Sequence, residues 1–352
     1  MVGVGALGAV LQEAAGGDML ITVEEELELI FRVLQKAGAP AHNAEVQAWW
    51  LVEADLTGRS SHGMRRLPLL VERIHRGLAV PWAEGELAWC RPTALMIDGQ
   101  RGLGPVIGRR AISEGVEAAR REGVVVVAVR NANHLGILSP YVEHIAEAGQ
   151  IGLVLTTTEA LVHPWGGRAA IVGTNPIAVG VPARPHPLVL DMATSAVSMG
   201  RILHHLEVGE PLGPGWAIDG DGKPTVEAGA AAGGALSPFG GAKGYALAIA
   251  LEVLVGSVTG TSLGTALRGT LDSVEVCTKG DLFVCIEPTI LHGREYSDEV
   301  SRYLDEVRHA PLAPGFDAIS VPGDRMRQAR ENGRRRGIEV ADVTWQAVCE
   351  LA

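Results

Sequence analysis

Along the first third of the chain, hydrophobic and polar positions recur with the period of helices. Thr22, followed three residues later by Glu25, forms a capping box that opens a helix with Leu27, Ile30, Phe31 and Leu34 on one face. Gly38 and Pro40 stop it. A second helical pattern covers 43–56 and ends at Gly58. A polar turn at 59–63 leads into a third amphipathic run that reaches about Ile74, and 87–97 reads as strand.

From Gly104 the pattern changes. A helix over 107–121 ends at Glu122-Gly123 and feeds Val124 to Val129, an unbroken, mostly β-branched run suited to a strand covered on both faces. A loop with His134, a helix from about Pro140 and a strand over 151–155 complete a crossover unit, which predicts an α/β core with some parallel pairing. A Gly/Pro-rich region (164–187), a strand at 188–190, a helix from about Thr194 and a turn region at 213–222 follow. A long helix near 243–258 and a strand over 274–286 complete the middle, and helical segments start near Asp298, Gly323 and Ala341. Helical ends around an α/β middle predict a discontinuous layout, 21–110 with 296–352 against 111–295.

Composition narrows the class. The chain has 352 residues, 47% hydrophobic and 20% charged, enough for a substantial core. Its net charge of -11, with no basic stripe to offset it, argues against nucleic-acid binding. The basic stretch 325–336 reads as a solvated helix face. Four cysteines without zinc spacing fit a reduced, cytoplasmic protein. The start lacks a basic segment followed by an apolar run, so it reads as no secretory signal. The longest apolar run, 245–255, is interrupted by Glu252 and reads as too short for a membrane.

Two strings are decoys. Gly3 to Gly8 spells GxGxxG, but only two residues precede it, leaving no strand to place a pyrophosphate at a helix start. His204 and His205 are adjacent, point apart on a helix and read as a solvated pair, and no metal is required.

The chemistry gathers elsewhere. His62 and His134 sit in glycine-flanked turns, with Ser61 and Asn133 beside them, and Arg66 follows His62 closely enough to hold a carboxylate next to the imidazole. An imidazole with a pKa near about 6.5 can exchange a hydroxyl proton as a hydride leaves or arrives. Pro164 to Gly167 and Gly173 to Pro176, with Thr174 and Asn175, are turn-rich segments with exposed backbone N–H groups. Asp191, Thr194 or Ser195 can cap the next helix. Lys243 stands at a helix start, where the dipole disfavours a cation unless an anion binds.

The strings SSHGMRRLP, NANHLG, PWGG, GTNPIA, LDMATS and PFGGAKGYALA occur in this order over about 21–350. Together they resemble the type 2 malate/L-lactate dehydrogenase family, also called sulfolactate dehydrogenase-like or ureidoglycolate dehydrogenase. The resemblance implies an α/β, non-Rossmann NAD(P)-binding fold, with 111–295 as the cofactor-binding part. It also implies a homodimer with the site near the interface. Residues 1–20 have no counterpart and are expected to be a disordered tail.

By the same resemblance, His134 is the proton acceptor, His62 its partner or alternative donor, and Arg66 the carboxylate clamp, with Ser61 and Asn133 at the substrate. Thr158, Thr174, Asn175, Asp191, Met192, Ala193 and Lys243 match cofactor positions, and the turn from Pro322 to Asp324 closes over the nucleotide, NAD being favoured over NADP. The chain departs from the family pattern at Ala242 and over 261–273. The implied reaction is hydride transfer between nicotinamide and a small 2-hydroxy or 2-oxo acid. A cyclic imine reductase is the alternative, and a non-catalytic binding protein on the same scaffold is the second.

Overall fold

The computed structural model describes residues 17–352; the GxGxxG string lies outside them. Fourteen strands are named here in chain order: β1 (Asp18–Ile21), β2 (Glu86–Arg91), β3 (Ala94–Asp98), β4 (Val124–Arg130), β5 (Ile151–Thr156), β6 (Ala160–Val162), β7 (Val172–Gly173), β8 (Ile177–Val181), β9 (Leu188–Met192), β10 (Ala217–Ile218), β11 (Pro224–Thr225), β12 (Ala235–Leu236), β13 (Gly280–Ile286) and β14 (Ile338–Ala341). The α-helices are α1 (Val23–Lys36), α2 (Ala41–Leu56), α3 (Leu67–His75), α4 (Gly104–Glu122), α5 (Ser139–Glu147), α6 (Met199–Val208), α7 (Ala228–Ala232), α8 (Ala242–Thr259), α9 (Pro288–His292), α10 (Ser297–Arg308), α11 (Asp324–Arg336) and α12 (Asp342–Cys349).

A seven-stranded sheet in the order β2-β3-β4-β13-β5-β8-β9 forms the centre. Val125, Val127 and Val129 face one side and meet Ile112, Val116, Tyr141 and Phe283 under α4 and α5. Ala128 and its neighbours face the other side, against Leu251 and Val255 of α8. Both faces are covered, which is why β4 reads as an unbroken apolar run. The parallel pair is β3 with β4; β4 and β5 are separated by β13, antiparallel to both. The strand–helix–strand unit at 124–155 therefore skips one place in the sheet.

Several expectations need correction. Asp18–Ile21 is no tail: it pairs antiparallel with Ile338–Ala341 and buries Ile21. The hairpin β2–β3 edges the central sheet rather than joining the helical part. On α1 the buried face is Leu29, Ile30, Val33 and Leu34, while Leu27 is exposed. Residues 274–279 are not strand, because the Asp272 carboxylate accepts the N–H groups of Val274 and Glu275 and turns the chain. The basic stretch is not wholly solvated: Arg330 turns inward to Glu53 and Glu143. His205 is not solvated like His204; it packs against Trp216, centroids 5.3 Å apart.

α8 is, contrary to the expectation from 245–255, long and apolar enough to cross a membrane by length and composition alone. Its inner face packs on the central sheet, and its buried Glu252 accepts hydrogen bonds from the N–H groups of Gly173 and Gly264 and from Asn175 Nδ2.

Candidate active site

The turn after α2 carries His62. Two short 3-10 segments, Ser60–His62 and Met64–Arg66, join at Gly63. The Asp55 carboxylate accepts the Met64 N–H at 2.6 Å, and a Cβ on Gly63 would lie 1.9 Å from that carboxylate. Only glycine lets the turn seat on Asp55. Burial raises the Asp55 pKa to about 6, and burial with the Asp55 charge raises neighbouring Glu26 to about 10. At neutral pH the pair under the turn therefore keeps one proton, since two bare carboxylates cannot share one buried site.

The loop after β4 carries His134. Gly104, at the start of α4, admits it: a Cβ there would lie 2.0 Å from the His134 carbonyl oxygen. These two close approaches bring the imidazoles together, with ring centroids 5.3 Å apart and planes at 35°. Ser61 Oγ and His62 Nδ1 are hydrogen-bonded at 3.0 Å. The Gly136 N–H donates to His134 Nδ1 at 3.2 Å. An acceptor nitrogen carries no proton, so neutral His134 bears its hydrogen on Nε2.

His62, His134, Arg66, Arg73 and Asn133 line one cavity with Trp50 and Thr270. The cavity is small, about 40 Å³, and opens to solvent. Burial and then the Arg66 charge push His62 down to about 4. Burial and Arg66 hold His134 well below its ordinary value. Burial and the charge of Arg73 lower Arg66 to about 10, so it stays cationic at neutral pH. One of its Nη groups donates to the Thr270 carbonyl at 2.6 Å. Two neutral imidazoles and fixed positive charge suit a small anion whose oxygen gains or loses a proton.

The remaining expected positions fall into three groups. Thr158, Thr174 and Asn175 form one network: Thr158 Oγ1 accepts the Thr174 N–H at 2.8 Å, and Asn175 Oδ1 accepts the Thr158 N–H at 3.2 Å. Met192 and Ala193 adjoin it, since the Thr194 N–H donates to the Thr174 carbonyl at 2.8 Å. The Phe239 N–H then donates to the Thr194 carbonyl and carries the chain to α8, where Lys243 is exposed and, among the described residues, has no hydrogen-bond or ion-pair partner. Thr194 and Ser195 do not cap α6; Ser198 does.

Asp191 caps a different helix. Its Oδ2 accepts the N–H groups of Leu138 and Ser139 at the start of α5 and pairs with Arg59 at 2.6 Å. The carboxylate is thus spent on protein partners. Pro322 and Asp324 lie apart from the imidazoles. The Val189 N–H donates to the Pro322 carbonyl, and Asp324 joins Arg308 and Arg327 at a second cavity that also takes in Arg184 and His186.

Arg73 was not singled out by the sequence, although it lies on the helix that begins directly after Arg66. Thr270, inside the segment that departs from the family pattern, was not singled out either, nor was the buried Lys279–Asp281 pair behind His134, hidden within an expected strand. Among the described residues no group of His, Cys, Asp and Glu is arranged to hold a metal.

The covered sheet, the glycine-seated turns and the two imidazoles in one narrow cavity describe an α/β enzyme that handles small acids. A family model for malate/L-lactate dehydrogenase matches residues 21–349, and the chain belongs to that family. It is an NAD(P)-dependent oxidoreductase of the 2-hydroxy-acid dehydrogenase class. Among curated relatives, an L-sulfolactate dehydrogenase of Methanocaldococcus jannaschii is 39% identical, covering 95% of this chain and 96% of that one. A malate/(S)-sulfolactate dehydrogenase of Methanothermus fervidus is 34% identical, covering 95% and 97%. A dehydrogenase from Sinorhizobium meliloti, solved as a crystal structure, superposes with a TM-score of 0.91 at 42% identity, covering 96% and 98%.

Proposed function

We propose that the cavity between His62, His134 and Arg66 is where a 2-oxo acid is reversibly reduced to the 2-hydroxy acid. The observation that carries this reading is the pair of imidazoles 5.3 Å apart, brought together from separate turns into one cavity with a guanidinium. Arg66 holds the C1 carboxylate through the N–H groups it does not give to Thr270. The Nε2–H of His134 donates to the C2 oxygen and stabilises the negative charge that builds there during reduction. The proton that completes the hydroxyl is one the imidazole pair takes up from solvent, His62 being held by Ser61 as the second member. In oxidation, His134 carries its hydrogen on Nδ1, without the bond from Gly136, so that its free Nε2 takes the hydroxyl proton. Asn133 acts indirectly, positioning Arg73 through its side-chain oxygen.

NAD(P)H supplies the hydride when bound. The residues present fit a phosphate-bearing dinucleotide: Lys243 is an unpaired cation at the start of α8, beside Gly240 and Gly241 with φ of 57° and 64°. Lys243 and the α8 start hold a phosphate, and the network of Thr158 and Thr174, with Met192 and Ala193 beside it, is tied to that helix start through Thr194 and Phe239. Asp191 acts indirectly, by fixing α5 and Arg59. Pro322 is held against β9 by the Val189 N–H, and Asp324 follows it at the start of α11.

The enzyme works as a homodimer, a reading supported by the apolar outer stripe of α8, where Leu247, Leu254 and Val258 are exposed. A cytoplasmic setting is supported by the unpaired buried thiols of Cys277 and Cys285.

The test is the loss of 340 nm absorbance with NADH and NADPH against a panel of 2-oxo acids and cyclic imines. Oxidation of the reduced cofactor on addition of a 2-oxo acid is the expected result. Turnover confined to the imines would replace the reading with imine reduction.

A further inference from the structure

Arg73 is the second guanidinium of the cavity, and its hydrogen bonding is incomplete. It lies on α3, about two helical turns after Arg66, and only 4% of it is exposed. Nε donates to Asn133 Oδ1 at 3.1 Å, and Nη1 donates to the carbonyl oxygens of Asp272 and Glu275 at 2.5 and 3.1 Å. Nη2 is buried and, among the described residues, has no partner. Arg330, by contrast, spends all three of its nitrogens on Glu53 and Glu143.

The carboxylate whose charge reaches both Arg66 and Arg73 is Glu159. Its Oε1 accepts the N–H groups of Thr270 and Leu271 and the Thr270 hydroxyl, so it holds the loop. A buried cationic donor left open in the cavity where Arg66 is proposed to grip one anion is a place for a second anion.

We propose that Arg73 is a specificity-determining residue that takes the second anionic group of a dianionic 2-oxo acid, a carboxylate or sulfonate on C3, while Arg66 holds the C1 carboxylate. This rests on the reading of the cavity as a 2-oxo acid site. A monoanionic acid of similar size presents a methyl group to Nη2 and leaves that donor unpaired. Sites built to hydrogen-bond a substrate group reject the analogue that lacks it. Asn133 and the carbonyl oxygens of 272 and 275 fix the guanidinium plane, which leaves only Nη2 to offer.

The experiment compares kcat/KM for oxaloacetate, sulfopyruvate and 2-oxobutyrate in the wild type, Arg73→Gln and Arg73→Lys, with melting curves for all three proteins. The wild type is expected to favour one of the dianions over 2-oxobutyrate by at least about 100-fold, and which dianion wins tells carboxylate from sulfonate. Arg73→Gln should lose about 100-fold or more on the dianions and less than about 5-fold on 2-oxobutyrate. Arg73→Lys keeps the charge without the fork and should fall between; it carries the test alone if Arg73→Gln fails to fold. Equal losses on all three acids would assign Arg73 to holding the 272–275 loop and overturn the proposal. So would a wild type that prefers 2-oxobutyrate. Absence of turnover on every 2-oxo acid would instead remove the 2-oxo acid reading on which it rests.

Discussion

His134 stands over His62 with ring centroids 5.3 Å apart and planes 35° from parallel. The contact makes each imidazole part of the other's environment: the His62 charge, after burial and Arg66, is a cause of the lowered His134 pKa. Protonating one therefore makes protonating the other harder. The pair rests neutral and holds at most one extra proton, which suits a site that passes a single proton with each hydride.

Replacing His134 by alanine removes the Nε2–H donor at the C2 oxygen. The turnover rate should fall by about 100-fold or more, the scale of general acid–base help, with cofactor binding unchanged. Steady-state kinetics with the best 2-oxo acid of the panel checks this. Near-normal turnover would move the proton chemistry to His62.

The depressed His62 pKa has a consequence for stability with a definite sign. In the unfolded chain a histidine titrates near about 6.5; in the fold His62 is pushed down to about 4. The stabilisation is complete above the unfolded value and is lost as pH falls through the folded one, because the unfolded state binds the proton first. Between pH 7 and pH 4.5 the wild type should lose about 2–3 kcal/mol more unfolding free energy than His62→Gln. Urea titrations at the two pH values measure the difference, and parallel losses would remove His62 from the buried pair.

Lys243 is solvent-exposed and has no partner among the described residues, so truncating it costs the fold little. Lys243→Ala should raise the Kd for NADH by about 10- to 100-fold, the worth of one charge-assisted hydrogen bond to a phosphate, at an unchanged melting temperature without cofactor. Fluorescence titration reads the affinity. An unaltered Kd would place the dinucleotide elsewhere.

The imidazole turns were legible in the sequence because glycines mark where the chain must pack closely. A Cβ on Gly63 would collide with the Asp55 side chain, and one on Gly104 with the His134 backbone. Helix limits were legible for a similar reason: the capping box of Thr22 with Glu25 is a local signal and forms as expected. What local signals could not carry was long-range pairing. β13 enters between β4 and β5 from far along the chain, and nothing in 124–155 announces it. Asp191 looked like a cap for the helix that follows, yet it caps α5, which precedes it. Arg73 lies within the amphipathic run that reaches about Ile74, and no local signal sets it apart there. Only the fold reveals that its outer side is closed by the 272–275 loop.

The decisive experiment is a crystal structure with NADH and oxamate, a non-reacting 2-oxo acid analogue. The oxamate carboxylate is expected on Arg66 and its carbonyl oxygen within about 3 Å of His134 Nε2, with a phosphate of the dinucleotide on Lys243. Oxamate bound away from Arg66 and both imidazoles would contradict this reading of the cavity.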